Sequence, residues 1–169
     1  FLRMDWTGMR GRADRLRPAL SFPKKSERRK IMKIMDSAEF DKVNVFGKGT
    51  ENTAYAKYFI GMSYLNPLTP KSGMGFANVT FEPGCRNNWH IHHADNGGGQ
   101  LLICIYGKGW YQEWSKEPRE LHPGDVVNIP ANVKHWHGAA KDSWFQHIAQ
   151  EIPGENTRTE WCERVDEEQ

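Results

Sequence analysis

Cysteine is scarce in this chain. There are three among 169 residues, and no CxxC pair occurs. Cys85, Cys104 and Cys162 therefore read as free thiols of a reducing cytoplasm rather than as a disulfide frame. No stretch approaches the ~18 consecutive apolar residues of a transmembrane helix, so no membrane span is expected. The N-terminal stretch has no apolar h-region, and no secretory signal is expected. A GxxxxGK[ST] loop is also missing, so the run Gly97-Gly98-Gly99 is not read as a phosphate cradle. No sustained helical period runs through the middle of the chain, and no internal repeat is long enough to build a second domain. Net charge is only +2. No aromatic-plus-basic motif for reading bases appears, and nucleic acid is not an expected partner.

The charge is unevenly spread. Residues 1–30 hold ten Lys/Arg against three Asp/Glu, and the rest hold thirteen against eighteen. The basic stretch, broken by Pro18 and Pro23, reads as an N-terminal arm. Ser26 is placed to cap a short helix over Glu27 to Met35. The length suits one domain with a proper core. Seven Trp and eight Phe suit a fold with a lined interior.

After a connector over Phe40 to Gly49, short strand signals follow one another. Tyr55 to Leu65 is rich in aromatic and aliphatic residues and is ended by Asn66-Pro-Leu-Thr-Pro70. Gly75 to Glu82 alternates Ala77, Val79 and Phe81 against polar neighbours, which predicts a half-buried strand. Leu101 to Tyr106 and Trp110 to Trp114 flank Gly107-Lys-Gly109 as a hairpin. Val126 to Ile129 follows Pro123-Gly-Asp125, and Trp144 to Ile152 alternates with Phe145, His147 and Ala149 on one face. Many short strands with regular turns predict an all-β sandwich or barrel.

Two blocks carry the chemistry. The first contains His90-Ile-His92 and runs on to Gln100. The second contains His135-Trp-His137. Residues two apart on a strand share a face, so each triplet aims two imidazoles the same way. Adjacent strands of this kind would converge several neutral imidazoles on one point, where a transition metal binds, and Gln100 adds a neutral oxygen.

In these blocks the chain resembles the cupins. Gly84, His90, His92, Gln100 and Gly107 follow the first cupin motif in order, and Gly124, Pro130 and His135 follow the second. Phe81-Glu-Pro-Gly84, Gln100 in place of Glu, Pro123-Gly-Asp-Val-Val127 and Lys134-His-Trp-His-Gly-Ala-Ala140 make it most similar to two groups. These are the small cupins associated with carboxymuconolactone decarboxylases and the manganese-dependent cupin hydroxynitrile lyases. The resemblance implies a single jelly-roll β-barrel over residues 36–169, preceded by an irregular or short-helical basic arm over 1–35. It implies one divalent metal ion per chain (manganese, iron, nickel or zinc) on His90, His92, Gln100 and His135. The spacer before Gln100 is longer than the motif's, which leaves His93 and Asp95 as alternatives to it. His137 and His147 become candidates for proton transfer, Asn87 matches a pocket position, and Ala77 and Val79 would line the wall. The implied protein is a cytoplasmic homodimer acting on a small oxygenated or carbonyl-containing molecule by lyase, isomerase or oxygenase chemistry. The alternative is a cupin that binds or senses a small ligand without turning it over.

Overall fold

The computed structural model describes residues 36–71 and 74–166, so the expected basic arm over 1–35, with its helix over 27–35, lies outside the described residues. In chain order the elements begin with α1 (Ser37–Val43), β1 (Thr50–Glu51), a 3-10 turn (Ala56–Tyr58), β2 (Phe59–Ile60), β3 (Ser63–Pro67) and β4 (Phe76–Phe81). They continue with β5 (Arg86–Asn87), β6 (His90–His93), β7 (Asn96–Gly97), β8 (Gly99–Gly107), β9 (Gly109–Glu113) and β10 (Arg119–Leu121). The last are β11 (Val126–Pro130), β12 (Lys134–Ala139), β13 (Phe145–Glu151), β14 (Gly154–Glu155) and β15 (Arg158–Trp161).

Two antiparallel sheets face each other as a jelly roll. One runs β1-β3-β4-β13-β8-β11. The other runs β10-β9-β12-β5-β2, with β6 joined to both β12 and β15. Val79, Phe81, Leu102, Cys104, Tyr111, Val127, Ile129 and Phe145 pack into one core between the sheets. The hairpin expected between Leu101 and Trp114 does not form: its two strands are present as β8 and β9, but β8 pairs with β13 and β11 in one sheet and β9 with β10 and β12 in the other. The chain crosses between the sheets at Gly107, at φ +74°, where an added Cβ would meet the Trp144 carbonyl oxygen at 1.7 Å.

Two further sequence expectations are corrected. The connector over 40–49 begins inside a helix, α1, whose N-cap Asp36 accepts from the backbone N–H groups of Ala38 and Glu39 at 2.7 and 3.1 Å. Seven residues are too few to display a helical hydrophobic period. What holds α1 is tertiary packing: Phe40 is fully buried, stacked on Trp144 at 4.5 Å and edge-on to Tyr106 at 5.1 Å. The second correction concerns the single strand expected over 55–65. The 3-10 turn and Gly61, at φ +85°, divide it into β2 and β3. β3 then runs through Asn66 to Pro67, beyond the expected break, because β1 reaches only Leu65 and leaves Pro67 without a neighbour to donate to on that side.

The outer face of β4 and β13 is more buried than simple alternation predicts. Asn78 and Thr80 are fully covered, as is Gln146. Segment 44–47 accounts for this. Asn78 donates to the Gly47 carbonyl at 2.8 Å, and Gln146 donates to Asn44 Oδ1 at 3.0 Å and to Thr80 Oγ1 at 2.8 Å. The amide donors of Asn78 and Gln146 on this outer face are thus met by a second layer of chain.

Candidate metal centre

Strand β6 alternates in burial, with His90 and His92 inside and Ile91 and His93 turned outward. Strand β12 does the same for His135 and His137 relative to Lys134, while Trp136 is buried on the opposite face. β6 and β12 pair with His90 directly opposite His135, which brings their ring centroids to 4.1 Å. His92 completes the group at 5.1 Å from His90 and 5.5 Å from His135. Gln100 is the second residue of β8 on the facing sheet and is 9% exposed.

The hydrogen bonds of these three rings all fall on Nδ1. His90 Nδ1 lies 3.0 Å from the Asn88 carbonyl, and His135 Nδ1 lies 2.9 Å from the Val133 carbonyl. His92 Nδ1 lies 3.2 Å from Thr159 Oγ1. Nδ1 of His90 and of His135 donates to its carbonyl, which leaves Nε2 of both rings with the free lone pair, the arrangement seen in metal-ligating histidines. Nε2 of His92, Nε2 of His135 and Oε1 of Gln100 are buried without a hydrogen-bond partner. Leaving such an atom unsatisfied costs about 1–3 kcal/mol. A cation among them offsets that cost, so the residues present fit a metal ion.

By distance alone the tightest set differs by one member. His90, His135 and His137 each present a ring nitrogen, all within 4.8 Å of one another, and together could hold a metal ion. His137, however, has both nitrogens engaged. Its Nε2 lies 3.1 Å from Asn87 Nδ2 and its Nδ1 lies 3.2 Å from His147 Nε2. Asn87 also accepts the His137 backbone N–H at 2.9 Å, which holds that strand and that ring from one side chain. His147 is fully buried on β13, opposite Val79.

Burial sets the electrostatics. The pKa values of His90 and His137 are held well below the usual imidazole range, first by desolvation and then by neighbouring imidazoles. Desolvation lowers His135 to about 4 and His147 to about 3. His92 is also lowered by burial, against opposing pulls from the Glu151 charge and from Gln100 beside it. All five rings are therefore neutral near pH 7, the state that can ligate a cation or accept a proton.

The alternatives to Gln100 sit elsewhere. His93 points out of the barrel and contacts Glu160 at 2.7 Å and Asn132 at 3.1 Å. Asp95 is exposed and accepts from Asn156 at 2.6 Å. Two contacts to the imidazoles had no signal in the linear sequence. Thr159 meets His92, and Trp161 stacks on His90 with centroids 4.8 Å apart. Both belong to β15, whose pairing with β6 only the fold reveals.

A polar recess of about 90 Å³ lies against His92, with Gly99, Glu151, Arg158 and Thr159 in its wall. A roomier cleft of about 240 Å³ lies beside Tyr111, Val127 and Asn128 and touches none of the four candidate ligands.

A cupin domain is matched over residues 77–145, from β4 to the start of β13. An (R)-mandelonitrile lyase from Granulicella tundricola is 39% identical over 117 residues, which span 68% of this chain and 86% of that protein. Among solved structures, a cupin-like protein from Thermotoga maritima superposes with a TM-score of 0.63 at 37% identity, over 74% of this chain and 92% of that one. A putative sugar phosphate isomerase from Acidithiobacillus ferrooxidans gives a TM-score of 0.55 at 15% identity, over 77% of this chain and 81% of that one, and shares the fold alone. No helix among the described residues is long and apolar enough to cross a membrane. The paired histidine motifs, the jelly roll that brings them together and the extent of these matches lead to one assignment: the chain belongs to the cupin family.

Proposed function

We propose that this protein is a metal-dependent lyase that breaks a carbon–carbon bond beside a hydroxyl-bearing carbon, with cyanohydrins as the substrate class. The observation that carries the reading is one juxtaposition. The clustered imidazoles of His90, His92 and His135, two of them with buried, unpartnered Nε2 atoms, lie next to a second, hydrogen-bonded histidine pair, with ring centroids of His90 and His137 5.6 Å apart. The relative named as a mandelonitrile lyase supports the choice of reaction.

His90, His92, His135 and Gln100 would hold a divalent transition metal ion of manganese, iron, nickel or zinc. All four ligands are neutral, so the ion keeps its charge, and a metal preferring six ligands retains open positions. When bound, it supplies Lewis-acid polarisation of the substrate oxygen. The chain's own residues handle the proton. Asn87 keeps His137 in place through its backbone N–H and its ring. A substrate hydroxyl entering beside Asn87 gives its proton to His137 Nε2, and the Nδ1 proton moves to His147 Nε2. The oxygen lone pair closes the carbonyl, the bond to the nitrile carbon breaks, and cyanide leaves with the electron pair. Cyanide takes the proton from His137 Nε2 and His147 returns its proton to His137 Nδ1, which completes hydrogen cyanide and restores both neutral imidazoles.

The same reading includes a homodimer, supported by the open edge at β11 where Val126 is 54% exposed. It also includes work in the cytoplasm, where three free thiols stay reduced. The domain boundary proposed remains at residues 35 and 36.

The test is metal content by elemental analysis of the wild type and His135→Ala, followed by mandelonitrile cleavage read as benzaldehyde absorbance. Metal in the wild type alone, with cleavage lost on chelation and regained on reloading, is the expected result. Bound metal with no turnover of any cyanohydrin would replace the lyase with the ligand-binding cupin.

A further inference from the structure

The C-terminal strand β15 lies beyond the residues matched as a cupin domain. It pairs antiparallel with β6, with Thr159 opposite His92 and Trp161 opposite His90. Directly opposed residues project from the same face of a sheet, so both side chains are delivered to the imidazoles. Thr159 Oγ1 lies 3.2 Å from His92 Nδ1. Trp161 is stacked on His90 with the planes at 29°, and Tyr58 is stacked on Trp161 at 4.5 Å and 6°. These stacks hold β15 in the register that keeps Thr159 opposite His92.

The three imidazoles are oriented by different means. His90 and His135 each place Nδ1 on a backbone carbonyl two residues upstream. Any residue at those positions supplies a carbonyl. His92 uses a side-chain hydroxyl instead, so its orientation depends on the identity of one residue. A neutral imidazole carries its proton on either nitrogen, and the partner at one nitrogen decides which. An acceptor at Nδ1 places the proton there and leaves Nε2 bare. His92 Nε2 is buried and without a hydrogen-bond partner.

We propose that Thr159 is a positioning residue for a metal ion held by His92: its hydroxyl accepts the Nδ1 proton, fixes the tautomer and ring angle, and so makes metal affinity depend on the C-terminal strand. The inference rests on the ligand set proposed above. Outer partners of this kind raise the basicity of the ligand they hold, and their loss typically costs about 10–100-fold in metal affinity.

The experiment titrates manganese chloride and, separately, zinc chloride into the metal-free full chain against a competing chromophoric chelator. Wild type, Thr159→Val, Thr159→Ser and His135→Ala are compared, and the Tm of each metal-free protein is measured alongside. Valine keeps the shape of threonine and removes the hydroxyl, whereas serine keeps the hydroxyl. Thr159→Val is expected to bind metal about 10-fold or more weakly at an unchanged Tm, with Thr159→Ser close to wild type. Wild-type affinity in Thr159→Val, an equal loss in Thr159→Ser, or a loss that only follows a fall in Tm would each overturn the proposal. Metal binding by wild type that disappears in His135→Ala, with Thr159→Val indifferent, sinks this inference and leaves the ligand set standing. A wild type that takes up neither metal sinks both.

Discussion

Nε2 of His147 lies 3.2 Å from Nδ1 of His137, and no carboxylate takes part in this buried contact. Two neutral imidazoles at this distance share a single proton between facing nitrogens. One ring donates to the other, and the remaining nitrogen of His137 is left as an acceptor toward Asn87. Replacing His147 with glutamine keeps a polar group of similar size but removes a base that can carry a proton. His147→Gln is expected to retain metal at the wild-type stoichiometry and to lose about 100-fold or more in kcat, the range associated with a positioned acid–base group. Elemental analysis beside steady-state kinetics checks both parts. Unchanged kcat would remove His147 from the proton path.

The buried rings also set the acid limit of the metal-free protein. In the unfolded chain each imidazole titrates near its ordinary value. Folding lowers His135 from 6.5 to about 4 and His147 from 6.5 to about 3. Between those limits the unfolded chain binds more protons than the folded one, so stability rises with pH. The contribution is fully present above about pH 6.5 and is lost as pH falls through the folded values. Thermal melts of chelator-treated protein across this window are expected to show Tm falling steadily on acidification. A bound cation competes with protons for the ligand nitrogens, so the metal-loaded protein should begin its decline at lower pH. A flat Tm in the metal-free protein would contradict the buried neutral histidines.

The parts of this centre legible in the sequence are those governed by local parity. His90 and His92, and likewise His135 and His137, are two apart on strands, so strand alternation alone places each pair inside. The same parity sends His93 outward to Glu160. His147 was legible for the same reason, from its alternation with Phe145 and Ala149. Cys85, read as a free thiol, is 1% exposed, and burial pushes its thiol up to about 12. What parity cannot supply is contact between distant segments. Thr159 is 67 positions from His92, and Gln146 is 102 positions from Asn44. The helix α1 carries no local signal because tertiary packing on Trp144, not its own seven residues, makes it stable.

That dependence can be measured. Phe40 is the buried residue of α1 and supplies its stack on Trp144. Phe40→Ala removes the ring and leaves a cavity between the helix and the outer face of the sheet, a change that typically costs about 3–5 kcal/mol. The expected outcome is a large fall in Tm together with faster hydrogen exchange at Asn44 and Gly47, whose side-chain and carbonyl bonds to Gln146 and Asn78 rely on the docked helix. A small fall in Tm would mean that the 44–47 segment holds the helix rather than the reverse.

Gln100 separates the needs of folding from those of binding. Its Oε1 is buried without a donor, a cost borne by the metal-free fold. Gln100→Leu removes that oxygen and fills much the same space with an apolar side chain. In the metal-free protein the variant is therefore expected to melt higher than wild type, by the few degrees that about 1 kcal/mol corresponds to. Metal raises the Tm of any protein that binds it only when folded, in proportion to the logarithm of its concentration over Kd. With one ligand gone, the rise in Tm on adding manganese or zinc should be smaller in Gln100→Leu than in wild type. The two shifts have opposite signs and come from one side chain. Loss of packing alone would lower both, and a purely structural glutamine would leave the metal-dependent rise unchanged. Only a ligand oxygen held ready at a cost to the empty fold gives a higher starting Tm with a weaker response to metal.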